Sequence, residues 1–247
     1  MKLAVLTDVH ANLPALRAAL RALEQEGFDL LIHLGDAIAT GPFPSECLEL
    51  LLSIPRAQFV MGNHDALFAR GLPSQVPEWM SEGEAQHQRW THAQIKPELR
   101  SVVAQWPYHW HCDFEGVAAS FSHYALDASG QTLAKFMPKP TASQLDEAFS
   151  LFAPAPAMLT FYGHDHSLSD IQGRSRYVNP GSLGCGSLPV ARYFVVEFER
   201  GAYRLEHRAV PYEDGELWEA FEERHVPERA FIYRTFFGGR FPGGASQ

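Results

Sequence analysis

The run from Lys2 to Asp8, "KLAVLTD", is almost unbroken apolar sequence ending at an acid, the pattern of a short strand buried on both faces. Helical periodicity follows at once in "ANLPALRAALRALEQEG". Leu13, Leu16, Leu20 and Leu23 recur on one face, Asn12 is placed to cap the first turn, Pro14 sits inside it, and Gly27 ends it. "FDLLIHLGD" predicts a second buried strand, again closing on an acid, then "SECLELLLSI" a helix and "AQFVMGNHD" a third strand with polar residues at its carboxyl end. From Ala66 to about Trp106 the pattern is helical but broken at Pro73, Pro77 and Pro97.

Beyond that segment, "HWHCDFEG" and "VAASFSHY" read as paired strands joined near Glu115 and Gly116. "TASQLDEAFSLF" predicts a helix, "AMLTFYGHDH" a strand running into a loop, and "SRYVNPGSLG" a strand and turn. "ARYFVVEFER" and "AYRLEHRAV" alternate around Gly201 as a hairpin. "GELWEAFEERHVPERAFIYRTFFGG" predicts two helices parted at Pro227, and "RFPGGASQ" a frayed end. Strands alternating with helices, with polar residues gathered just after the strands, indicate an α/β chain whose site lies along the strand ends.

Composition bounds what that site can serve. A chain of 247 residues with 46% hydrophobic residues can bury one large core, so a single domain over residues 1–247 is expected, with a helical insertion at about 66–106 and C-terminal helices at about 213–239. The net charge of -9 disfavours general attraction to duplex nucleic acid or to an anionic membrane, and an acidic chain that handles phosphate needs local positive charge such as bound metal. No apolar window is long enough for a signal peptide or a membrane span, and a cytoplasmic protein is expected. Cys47, Cys112 and Cys185 form no C-x-x-C pair and suggest neither a disulfide framework nor a thiolate zinc site.

Five predicted strand ends carry Asp8 with His10, Asp36, Asn63 with His64, His123, and His164 with His166. Taken singly, an Asp or Asn there is commonly a turn or cap, and a lone His a satisfied, partly buried side chain. Taken together, carboxylate and imidazole groups at adjacent strand ends suit a pair of divalent metals without any thiolate. In "GHDH" the two imidazoles are two residues apart, so a strand would set both on one face, and a loop can also turn both toward one spot.

"DVH", "GD", "GNHD", "SH" and "GHDH", in that order, resemble the motif set of the calcineurin-like metallophosphoesterases, over Leu3 to about Phe198. "DVHANLPAL", "GDAIATGPFP" and "NPGSLG" further resemble that family's small prokaryotic phosphodiesterase-like branch. The resemblance implies two mixed β-sheets packed face to face and flanked by helices, with metals at one edge. It implies Asp8, His10, Asp36 and His166 around a first divalent ion and Asp36, Asn63, His123 and His164 around a second, Asp36 bridging. Manganese, iron or zinc suits these ligands. Both histidines of "GHDH" would then be ligands presented by a loop.

The implied activity is hydrolysis of a phosphodiester or nucleotide-like small substrate by a metal-held hydroxide, with His64 protonating the leaving alkoxide. Asp65 either holds the His64 ring or caps the helix that follows. Ala11 replaces a usual Gly, Tyr124 stands where the branch often has Gly and is expected to pack beside the loop, and the D-R-G continuation of phosphoprotein phosphatases is missing after "GD". Lys135, Lys139 and Arg192 are candidates to meet phosphate but read as solvated surface, while Trp79, Trp90 and Trp106 read as core. Alternatives are a phosphomonoesterase, a dinucleoside polyphosphate hydrolase, or a non-catalytic metal-binding scaffold for protein partners.

Overall fold

The computed structural model of the chain describes residues 1–130, 132–150 and 157–241. Its N-terminal half runs β1 (Lys2–Leu6), α1 (Leu13–Glu26), β2 (Leu30–His33), α2 (Pro44–Leu52), β3 (Ala57–Phe59), α3 (Asn63–Arg70), α4 (Glu82–Gln94), α5 (Leu99–Val103), β4 (His109–Phe114) and β5 (Val117–Ser122). There follow α6 (Ala142–Phe149), β6 (Leu159–Phe161), β7 (Leu168–Gln172), β8 (Arg176–Pro180), β9 (Val190–Glu199), β10 (Ala202–Pro211), α7 (Gly215–Glu223) and α8 (Arg229–Phe236).

These strands form two five-stranded sheets, ordered β10-β9-β1-β2-β3 and β4-β5-β6-β8-β7. Both are mixed: β1 pairs parallel with β2 but antiparallel with β9, and β6 pairs parallel with β5 and β8 while β7 pairs antiparallel with β8. The period-two pattern of β1 explains the layering. Leu3 and Val5 face the second sheet and join Phe121, Phe161 and Val178 in the inter-sheet core, while Ala4 and Leu6 face outward to α1 and α2. Phe121 stacks on Phe161 at 5.0 Å between ring centres, and Phe114 on Phe198 at the same separation. On the outer face of the second sheet, Leu145 of α6 packs with Tyr124, Tyr162 and Tyr177. The expected architecture, a sandwich of two mixed sheets flanked by helices, is the one observed.

Asn12 caps α1 by accepting the Ala15 N–H at 3.1 Å, as expected. Two local expectations are corrected. The third strand stops at Phe59, and Asn63 and His64 open α3 instead of ending a strand, its first turn held by Asp65 accepting the Gly62 N–H at 3.2 Å. β7 has no counterpart in the sequence reading. "LSDIQ" is an edge strand with an alternating half-exposed pattern, too polar to register as a buried run. The expected helix over "TASQLDEAFSLF" and the frayed end fall partly on residues 151–156 and 242–247, outside the described residues.

No helix among the described residues is long and apolar enough to cross a membrane. Trp106 is buried in the core and Trp90 packs partly buried against it, but Trp79 is 69% exposed, in correction of the core reading. It stands in the turn after Pro77, before α4, too far out for its ring to reach the helix-side core.

Candidate metal centre

The loops that leave β1, β2, β5 and β6, with the first turn of α3, meet at one edge of the sandwich. They carry all seven candidate ligands. Asp8, His10, Asp36 and His123 are each at most 2% exposed, and Asn63, His164 and His166 are half-buried. Five of the seven have left-handed backbones: Asp8, His10, Asp36, His164 and His166 lie at φ between 48° and 66°. Non-glycine residues rarely adopt this region, at about 1 kcal/mol or more each, and such strain collects where a loop is held for function. Ala11, at φ 51°, shares it, which explains why glycine suits that position.

The motif glycines let these strained loops approach one another. A Cβ on Gly62 would stand 2.2 Å from Asp36 Oδ1, and one on Gly163 only 2.0 Å from Thr7 Oγ1 and 2.7 Å from Asp8 Oδ2. Further bonds fix the frame. Asn179 donates to the Gly163 carbonyl at 2.9 Å and Ser182 to the Asp8 carbonyl at 2.8 Å, so the "NPGSLG" turn holds the loops of Asp8 and His164 at once.

Around the first position, His10 Nε2 and His166 Nε2 face each other at 2.9 Å, with Asp8 Oδ1 at 3.4 and 3.3 Å from them and Asp36 Oδ2 at 3.9 Å from His10. Around the second, His123 Nε2 lies 3.2 Å from Asp36 Oδ2 and 3.1 Å from Asn63 Oδ1, and the His164 ring is 5.1 Å from that of His123. His123 Nδ1 is 2.9 Å from the Leu34 carbonyl; donating there fixes the tautomer and leaves Nε2 open toward the site. Asp36 belongs to both groups.

The donor set fits a cation. Asp8 Oδ2 accepts from Thr7 Oγ1 at 2.7 Å and from the His164 N–H at 3.0 Å, but Asp8 Oδ1 is buried without a hydrogen-bond partner. An orphaned carboxylate oxygen aimed at imidazole nitrogens is an arrangement that a divalent ion completes. Burial pushes the Asp8 and Asp36 carboxyls up, yet the facing imidazoles outweigh it and hold both well below the usual carboxylate range. Burial likewise lowers His123, but Asp36 and Asp8 lift it to about 9, whereas burial takes His164 down to about 4.

His64 borders the same pocket, its ring 5.5 Å from that of His10. Asp65 does not hold it. The Asp65 carboxylate, 1% exposed, accepts the N–H groups of Asp36 at 2.7 Å, Ala37 at 3.1 Å and Gly62 at 3.2 Å, so it pins the loop bearing Asp36 to the start of α3. The partner of His64 is Gln88 of α4, whose Nε2 is 2.5 Å from His64 Nδ1. No motif marks Gln88, and only the packing of α4 reveals it. Phe236 of α8 is the other wall the sequence reading missed, its ring 6.2 Å from His10 and 5.8 Å from His166.

Tyr124 packs as expected, 1% exposed and 5.3 Å from the His164 ring, its hydroxyl accepting the Met137 N–H at 3.0 Å. Cys185 is buried close enough to His10 and His166 to share an ion with them, although burial pushes its thiol far up. Lys135 and Lys139 are exposed, Arg192 is half-buried beside Gly181, and none of the three lines the pocket.

The sequence model of the calcineurin-like phosphoesterase superfamily domain matches residues 1–201. Protein MJ0912 of Methanocaldococcus jannaschii is 25% identical over 254 residues, covering 96% of this chain and 98% of its own. Among solved structures, a metallophosphoesterase from Sphaerobacter thermophilus superposes with a TM-score of 0.70 at 24% identity, over 95% of this chain and 97% of that one. The hypothetical protein PH1004 from Pyrococcus horikoshii gives 0.75 at 19%, over 97% and 99%. At these identities the two structures speak for the fold.

Proposed function

The chain belongs to the calcineurin-like phosphoesterase superfamily and is a metallophosphoesterase, a hydrolase of phosphoester bonds, and from that premise we propose that it cleaves small phosphodiesters with two divalent ions. Asp8, His10, Asp36 and His166 would hold the first and Asp36, Asn63, His123 and His164 the second, with manganese, iron or zinc suited to the oxygen and nitrogen donors. Such a pair supplies Lewis acidity toward a phosphoryl oxygen and makes water nucleophilic near neutral pH.

The rest falls to the chain itself. The bond between Gln88 and His64 Nδ1 orients the ring and leaves Nε2 as the nitrogen from which a protonated imidazole can pass its proton to a leaving oxygen. Asp65 keeps the Asp36 loop in place through its three backbone bonds. Because the site draws on residues from Asp8 to Phe236, we read residues 1–247 as one catalytic unit, with α4 and α8 part of it.

The observation that carries the diester preference is the lining of the metal pocket: His10, Asp36, Asn63, His64, His164 and His166 border it, and neither lysine nor arginine does among the described residues. A monoester brings up to two negative charges and gains most from fixed cations, whereas a diester brings one charge and two bulky groups. Room for those groups exists, since cavities of about 320 and 600 Å³ both border Asn63. The test is a panel of bis-p-nitrophenyl phosphate, p-nitrophenyl phosphate, cyclic nucleotides and dinucleoside polyphosphates, assayed with manganese after adventitious metal is stripped. We expect the highest kcat/KM on a diester. A simple monoester well above every diester would overturn the preference.

A further inference from the structure

His64, Asn63 and Phe236 border the metal pocket on one side and, on the other, a cavity of about 320 Å³ between α4 and α8. A group that takes its proton from His64 departs toward that cavity, so the chemistry of its wall bears on which alcohol can leave.

The wall is unlike the metal pocket. Glu84 and Glu228 supply two carboxylates, and neither is engaged in an ion pair among the described residues. Phe231, 49% exposed, and the buried Ile232 supply an apolar face. Neither lysine nor arginine lines it among the described residues. Independently of the acids, Gln88 is wholly buried and lines the cavity. Its Nε2 is taken by His64, and its Oε1 has no hydrogen-bond partner. A buried amide oxygen left unpaired is costly to desolvate, and a donor arriving with a ligand recovers that cost.

We propose that this cavity is the leaving-group subsite and that it selects an uncharged alcohol with an aromatic or apolar face and further hydroxyl groups, as a nucleoside has, over one that carries a second anion. Three acceptors, Gln88 Oε1 and the Glu84 and Glu228 carboxylates, receive hydroxyl or N–H donors, and Phe231 covers the flat face. A phosphate or carboxylate on the departing group meets two like charges and no cation. This inference rests on the phosphodiesterase reading, and it disfavours dinucleoside polyphosphates, whose leaving group is itself a nucleotide.

The experiment uses methyl aryl phosphates whose phenol carries either a hydroxymethyl or a carboxylate group at the same meta position, with manganese-loaded enzyme. The readout is the ratio of kcat/KM for the uncharged over the anionic substrate, compared between wild type and the Glu84→Gln, Glu228→Gln double variant, so that intrinsic leaving-group reactivity cancels. We expect the wild-type ratio to exceed the variant's by about tenfold or more. Equal ratios would overturn the proposal while leaving the phosphodiesterase reading intact. A parallel measurement is independent of which ester is cleaved: binding of the free phenols, followed by calorimetry. The 3-(hydroxymethyl)phenol should bind wild-type protein more tightly than 3-hydroxybenzoate, and binding of the benzoate alone would refute the subsite. If no diester is hydrolysed, the phosphodiesterase reading falls and the calorimetry alone decides on the cavity.

Discussion

Phe121 and His123 stand two residues apart at the end of β5, and Val5 and Asp8 three apart at the end of β1, yet each pair spans two regions of opposite character. Below, Phe121 and Val5 belong to a core of regular strands lined by apolar side chains, with Phe121 stacked on Phe161. Above, buried carboxylates and imidazoles crowd together on left-handed loops, with one carboxylate oxygen unpaired. The core supplies the stability that the upper region consumes. The strained side chains stay in place because the packed strands beneath hold the loops that carry them, so the candidate site has a defined geometry.

That division can be broken from either side. Phe121→Ala should lower unfolding free energy by about 3–5 kcal/mol, through lost burial and the cavity left beside Phe161, while kcat/KM per folded molecule changes less than tenfold. Denaturant unfolding beside activity at low temperature checks both halves. Asp36→Asn should do the reverse. Removing the charge shared by both groups should cut activity by about a hundred- to a thousandfold and lower the content of both metals, with His166→Ala weakening mainly the first. Full two-metal content in the Asp36 variant, by elemental analysis, would remove the bridging assignment.

His64→Ala sharpens the contrast within the site. Its metals should stay, and activity on alkyl esters should fall by about a hundredfold, against less than tenfold on p-nitrophenyl esters, whose leaving group departs without a proton. Equal losses on both would count against His64 as the acid. Gly62→Ala should weaken metal affinity by about ten- to a hundredfold, since the new Cβ would stand 2.2 Å from Asp36 Oδ1, while the inter-sheet core stays intact by near-ultraviolet circular dichroism.

The smallest effect is a pH dependence of the metal-free protein. With His123 lifted to about 9 against Asp36, its ion pair adds stability that is complete below pH 6.5 and fades as pH rises through about 9. The melting temperature of chelated protein should therefore decline over that window. Metal loading must expel the same proton, so affinity should rise with pH up to about 9, by at most about tenfold per unit. A metal affinity independent of pH between 7 and 9 would contradict the His123–Asp36 pairing.

Much of this contrast is legible in the chain. Strands buried on both faces read as continuous apolar runs, so the polar residue that ends each run is visible, and Asp8, Asp36, His123 and His164 could be placed on one edge without coordinates. What stayed hidden depends on contacts between distant segments. Gln88 lies in a helix without a motif and acquires meaning only where α4 meets His64, and Phe236 is one aromatic among many until α8 lays it beside His10. β7 escaped because an edge strand with one solvated face needs few apolar residues. In the sequence Asp65 fits either a cap or a partner of His64, and the structure sets it on the backbone N–H groups of Gly62, Asp36 and Ala37.

The pairing of β1 with β9, which sets Lys2 opposite Glu197, also has a meaning in time. Synthesis proceeds toward the C-terminus at about 5–20 residues per second, so β1 waits roughly ten to forty seconds for β9, one of its two neighbours. Throughout that interval an apolar edge lacks its hydrogen-bonding partner, the condition under which nascent chains stick to one another or to chaperones. His164 and His166 emerge shortly before β9. A nascent chain therefore cannot bring the candidate site together, or use an ion to organise folding, until synthesis has passed His166.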